Sequence, residues 1–305
     1  MGHNHSHAHN HTHHANKKAL LISFILISVF MIIEVIGGFL TNSLALLSDA
    51  GHMLSDAVAL GLSLFAFKLG EKKANAKKTF GYKRFEILAA FLNGITLIAI
   101  SGYIILEAYH RFIDPPEVAS IGMLSIASIG LLVNVIVAFI LMRGDTTENL
   151  NLRSAFLHVI GDLLGSVGAI IAALLILIFD WGIADPIASV IVAILVLISG
   201  WRVTRDSVHV LMEGNPAHLD LLKIRKYLTD FNGVIGIHDV HIWAITSDFP
   251  TITCHLVVNE DVDRDKLLQL VTKQLEEEFG IQHSTIQIEG PSLKKDIKDM
   301  CNTCN

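Results

Sequence analysis

Six long apolar runs constrain this chain more than any other feature. They cover about residues 18–40, 44–69, 85–110, 119–142, 153–179 and 185–208, and a bilayer-crossing helix needs ~20 mostly apolar residues. The first run is no signal peptide in outline: it is too long, and a histidine-rich segment precedes it. Only 17% of the chain is charged, against roughly 25% in an ordinary soluble domain. An all-α transmembrane domain of six helices, over 18–208, is therefore expected.

Lysine and arginine set the expected orientation. Lys17 and Lys18 precede the first run, Lys68 to Arg84 crowd the second connection, Arg143 and Arg153 flank the fourth, and Arg202 and Arg205 close the sixth. The first and fifth connections carry none, and the third has only Arg111. This alternation predicts a multi-pass protein with both termini in the cytoplasm.

The whole net charge of −6 falls in the last third, from Glu213 onward. Helical apolar spacing marks 216–231 and 263–279, the latter ended by Gly280. Strand-like β-branched runs occupy 234–246, 251–258 and 284–288. The order αββαβ predicts a small ferredoxin-like α+β domain over 209–290, three strands covered by two helices. A tail, 291–305, follows. No basic stripe with interleaved aromatics is present, so nucleic acid is not an expected partner. Three cysteines cannot build a disulfide framework.

Ionisable residues inside apolar runs are expensive, at least ~2.5–3.5 kcal/mol for a mid-span aspartate. Yet the second run reads SDAGHMLSDAVAL and the fifth LHVIGDLLGS. His52 and Asp56 are four apart, as are His158 and Asp162, so each pair shares one helix face. Two such pairs supply two imidazoles and two carboxylates, a tetrahedral set suited to Zn2+. Cd2+ and Co2+ tolerate similar ligands. Asp49, one turn before His52, is an entry or supporting group. Glu34, Asn93, Glu107 and Asn134 are weaker signals, for a water path or for interhelical hydrogen bonds.

The segments LLSDAGHMLSDA, LHVIGDLLGS and FGYKRFE together resemble the cation diffusion facilitator family, in its zinc-type exporters of the cobalt–zinc–cadmium resistance group. The likeness covers nearly the whole chain. It implies a homodimer in the lipid bilayer of the cell membrane that exchanges cytoplasmic zinc for protons, and it maps the family's HxxxD motifs onto His52/Asp56 and His158/Asp162. It also implies a cytoplasmic metal site, matched by position to His238, His255, His283, Cys301 and Cys304, with Glu289 as a further ligand. One departure is that the loop 144–152 has no histidine, whereas seven histidines lie within residues 1–14. That segment, within an N-terminal tail 1–17, reads as a low-affinity collector of divalent metal.

Ligand protonation suggests the cycle. Zinc needs neutral imidazole and ionised carboxylate, so protons compete with it. Two other readings stand beside export. A membrane zinc sensor or scaffold would bind without moving metal. An intramembrane hydrolase would need a general base and an open ligand position, and no HExxH motif occurs in the chain.

Overall fold

The computed structural model describes residues 8–70, 74–142, 150–246 and 249–291; within those ranges the side chains of 8–20, 59–60, 62–70, 140–142, 150–162 and 164 are left out. The chain forms two compact units, residues 1–82 with 88–205, and 83–87 with 206–305.

The first unit is helical: α1 (Ala8–Thr41), α2 (Leu44–Gly70), α3 (Phe85–Ile113), α4 (Ser120–Met142), α5 (Leu150–Phe179) and α6 (Ala184–Leu211). Helix α1 begins earlier than the apolar run, so its backbone runs through part of the histidine-rich segment. Among the described residues, four helical stretches are long and apolar enough to cross a membrane: Leu21–Thr41, Phe85–Ile113, Ser120–Phe139 and Ala184–Leu211. Their outward faces are apolar too. On α1, Ile22, Ile25, Val29, Ile32 and Ile36 are exposed while Ser23, Ile27, Phe30 and Glu34 are buried. A helix with its polar groups inside and its aliphatics outside is suited to lipid, not water.

Among the described residues, four apolar clusters organise this unit, the smallest being Leu97 of α3 with Val192 and Val196 of α6. Ile27 and Phe30 of α1 pack with Met53 and Ala57 of α2 and Val137 and Ala138 of α4. Ala45 and Leu46 of α2 pack with Met123 and Ala127 of α4, Ala169, Ala172 and Ala173 of α5, and Ala184 of α6. Leu44 joins Ile104 and Ala108 of α3 to Ala193 of α6. The alanines let helix backbones approach closely.

The start of α2 is fixed by a residue remote in sequence. The Asp185 carboxylate, fully buried, accepts the Ser43 hydroxyl at 2.6 Å and the backbone N–H groups of Leu44 at 2.8 Å and Ala45 at 3.1 Å. A carboxylate on these orphan N–H groups is the favoured helix cap. Here it is delivered by α6. Arg111 stands 3.8 Å from Asp185 and donates to the Asn42 carbonyl at 2.6 Å. It also bonds Glu107, one turn back on α3, at 3.0 Å.

The second unit is α7 (Leu221–Thr229), β1 (Val234–Ala244), β2 (Pro250–Val258), α8 (Arg264–Phe279) and β3 (His283–Glu289). The sheet order is β1-β2-β3, with β1/β2 antiparallel and β2/β3 parallel. Helix α7 is shorter than expected. Asp220 caps it, accepting N–H groups of Leu222 and Lys223, and Pro216 to Leu219 form a turn closed by the Leu219 N–H to the Pro216 carbonyl. Helix α8 stops at Gly280, whose φ of +68° is costly for other residues. Ile224 and Leu228 of α7 and Leu267, Val271 and Leu275 of α8 share one core with Ile242, Ile252, Cys254 and Leu256. This is the α+β layer anticipated, with His255 alternating onto the face away from that core.

Candidate metal centres

The first centre is on α2. Asp49 is 1% exposed and Asp56 4%, and His52 between them is half-buried. Ser48 donates to the Ser189 carbonyl of α6 at 3.3 Å, and Ser55 accepts from Asn93 of α3 at 3.3 Å. Ser48 and Ser55 are seven residues apart, so both contacts lie along one flank of the motif face of α2.

Helix α5 faces this segment. The Ser166 hydroxyl donates to Asp49 Oδ2 at 3.3 Å, and Asn134 of α4 donates to Ser166 at 3.3 Å. Gly165 admits the carboxylate: a Cβ there would stand 2.5 Å from Asp49 Oδ1. Ala45 and Leu46 pack with Ala169 to Ala173, while Asp49 meets Ser166, so the two helices run antiparallel. His158 and Asp162 are on the helical backbone of α5, but their side chains lie outside the described residues. Asn134 and Asn93 both make interhelical hydrogen bonds, the second of the two roles considered for them.

The second centre is on the open face of the sheet. His238 and His255 are direct cross-strand partners, their rings 4.9 Å apart. Glu289, 1% exposed at the end of β3, joins them. Its Oε2 is 3.0 Å from His238 Nε2 and its Oε1 is 2.8 Å from His255 Nδ1. The second contact is an ion-pair distance out of line for a hydrogen bond. Gln287 donates to Glu289 Oε1 at 2.9 Å. One ligand atom from each of His238, His255 and Glu289 falls within 4.8 Å of the others. His238 Nδ1 is buried with no hydrogen bond. Two imidazoles and a carboxylate converging on one point fit a borderline divalent ion.

Asp239 is a neighbour that motif spacing alone did not mark. The β1–β2 register shifts between His238 and His241, and Asp239 takes a φ of +51°. This bulge turns its carboxylate to 3.5 Å from His255 Nε2 and 2.9 Å from His241 Nε2. The signal available beforehand was His-Asp-x-His at the middle of a strand. His283 begins β3 opposite Thr251, six residues before Glu289, which is ~20 Å along an extended strand. It stacks near Phe249 instead, with ring centroids 6.0 Å apart. Cys301 and Cys304 lie outside the described residues. Cys254 faces the core, and burial pushes its thiol up to about 12, so it stays protonated and is a poor ligand.

Residues 20–212 match the cation efflux transmembrane domain, and residues 216–291 match the cation efflux protein cytoplasmic domain. The chain belongs to the cation efflux family. It is 58% identical over 305 residues to the cadmium, cobalt and zinc/H(+)-K(+) antiporter of Bacillus subtilis (strain 168), covering 99% of this chain and 96% of that one. It is 44% identical to the zinc transporter ZitB of Escherichia coli (strain K12), covering 95% and 93%. It is 41% identical to the metal cation efflux system protein CzcD of Cupriavidus metallidurans, covering 94% and 90%. The chain is a multi-pass membrane cation efflux transporter and not an enzyme.

Proposed function

We propose that this transporter exports cytoplasmic Zn2+ in exchange for protons, through a single site formed by His52, Asp56, His158 and Asp162. Cd2+ and Co2+ are secondary substrates. All six long helices cross the cell membrane, both termini are cytoplasmic, and two copies pair through the small domain.

The observation that carries this reading is the Asp49–Ser166 hydrogen bond, because it supports a register for α2 against α5. From Asp49, Asp56 lies seven residues along α2, ~10.5 Å at 1.5 Å per residue. From Ser166, His158 lies eight residues back along the antiparallel α5, ~12 Å. His52 and Asp162 sit at matching intermediate levels. In that register the two HxxxD faces meet as one four-ligand layer. Competition between zinc and protons for these ligands then drives the cycle: metal binds on the cytoplasmic side, the helices rock, and protonation outside releases it.

The small domain adds regulation. His238, His255 and Glu289 hold a cytoplasmic zinc ion, with Cys301 and Cys304 as further ligands from the tail, and occupancy biases the arrangement of the pair. The N-terminal histidines concentrate metal near the entrance.

A metal-by-metal flux assay in reconstituted vesicles tests this. Zinc should accumulate against its gradient when a pH difference is imposed, with cadmium and cobalt slower. Asp162→Ala should reduce zinc flux to background with the fold retained. Binding without accumulation would instead support the sensor reading. A flux that follows an imposed potassium gradient alone would move the counter-ion role from protons to potassium, an ion that the name of the Bacillus subtilis relative includes.

A further inference from the structure

The β1–β2 bulge puts a carboxylate where a regular strand would not. His238 faces His255 and His241 faces Thr253, so two residues, Asp239 and Val240, stand against Cys254 alone. Val240 takes the inward place, packed against the core that Cys254 joins. Asp239 is the extra residue, turned toward His255 by a φ of +51°. Glycine or asparagine is the easier choice at such a backbone angle. A carboxylate kept there in an uncommon conformation points to a use for the carboxylate itself.

Asp239 stands between two imidazoles. Its Oδ1 is 2.9 Å from His241 Nε2, and its Oδ2 is 3.5 Å from His255 Nε2. The other ring nitrogen of His255, Nδ1, is the one beside Glu289, at 2.8 Å. His255 therefore has a carboxylate at each end of its ring. A neutral imidazole carries one N–H and one lone pair. With the N–H on Nε2, aimed at Asp239, the lone pair lies on Nδ1, on the side of the cluster with Glu289 and His238. Metal-ligating imidazoles almost always donate their second N–H to such an acceptor, which fixes the ring and raises its basicity. At His238 the arrangement differs: Nε2 faces Glu289, and Nδ1 is buried without a hydrogen bond.

We propose that Asp239 is a positioning residue of the small-domain metal centre: by accepting the Nε2–H of His255, it fixes the tautomer that offers Nδ1, beside Glu289, to a divalent cation. This rests on the reading of His238, His255 and Glu289 as a zinc site. It makes the two imidazoles unequal. His255 is the oriented, stronger donor, and His238 completes the set. His241 holds the other oxygen of Asp239 and acts one step further from the ion.

Equilibrium Zn2+ and Co2+ binding to the full-length protein test this, on the component of binding that His238→Ala/His255→Ala removes. Asp239→Gly deletes the carboxylate and suits the positive φ, so the bulge is kept. It should weaken that component tenfold or more. The visible spectrum of bound Co2+ at saturation, which reports the donor atoms, should stay as in wild type. In a His255→Ala background the same substitution should change the remaining affinity less than twofold. Asp239→Asn, whose carbonyl oxygen can accept the same N–H, should bind more tightly than Asp239→Gly. Wild-type affinity in Asp239→Gly overturns the proposal. So does a changed Co2+ spectrum, since Asp239 would then be a ligand itself. Equal weakening with and without His255 overturns it too, as does asparagine no better than glycine, because the field of the charge and not an accepted N–H would be at work. Failure of the underlying reading shows separately, as metal binding that His238→Ala/His255→Ala leaves intact.

Discussion

Asp185 does two jobs with one carboxylate: it caps α2 from another helix and it faces Arg111. Losing the cap alone costs about 1 kcal/mol, and Arg111 also loses the more distant of its two carboxylate neighbours while keeping Glu107. Asp185→Ala should therefore lower the melting temperature of the detergent-solubilised protein more than Asp185→Asn, which leaves one acceptor oxygen. Equal melting temperatures would show that the Ser43 hydroxyl and solvent can replace the cap. The sequence contained half of this feature, since Asp185 precedes Pro186 at the start of an apolar run, the usual opening of a helix. The other half was hidden, because a cap on α2 supplied from residue 185 is a tertiary fact that no local pattern encodes. Asp49 was visible as an anomaly but not its partner: a serine in a span is too common to mark Ser166 as one.

At the scale of elements, α8 illustrates how caps fix boundaries. Asp263 accepts the Lys266 N–H at 3.2 Å and pairs with the Lys266 ammonium at 2.8 Å. The lysine's hydrogen bond, then its backbone N–H, hold the Asp263 carboxyl below the usual carboxylate range. A carboxyl lowered in the folded state contributes stability above its unfolded pKa and loses it as pH falls through the folded value. Asp263→Asn should thus melt lower than wild type at pH 7, with the gap narrowing near pH 3 and under high salt. A gap independent of pH would assign the cap to its geometry alone. The αββαβ order was legible because its boundaries rest on such local chemistry: Asp263, Gly280 and the β-branched runs. The extent of α7 was not, because Asp220 is a stronger start than Pro216 only once its side chain is seen on Leu222 and Lys223. The bulge at Asp239 was equally illegible, since backbone register depends on both strands.

For the whole molecule, the division of labour between an apolar helical unit and an acidic mixed unit follows from charge and hydropathy alone, and the family assignment rests on both halves. The second unit should respond to metal on its own terms. Zinc at about a hundred times its dissociation constant stabilises the form that binds it by about 2.7 kcal/mol. In thermal unfolding of the full chain, the transition of the small domain should rise with zinc in wild type. In the double variant His238→Ala/His255→Ala it should stay fixed. A shift that survives both substitutions would place the ligands elsewhere, in the cysteine tail or at His283.

The Glu289 carboxylate has a consequence for that response. Both imidazoles already engage it, and Gln287 holds one of its oxygens. An incoming cation must break these attachments before it can be held, so the cluster competes with its own ligand. On the reading proposed for this cluster, zinc binding should therefore be weaker than in the variant Gln287→Ala, in which one of these attachments is gone.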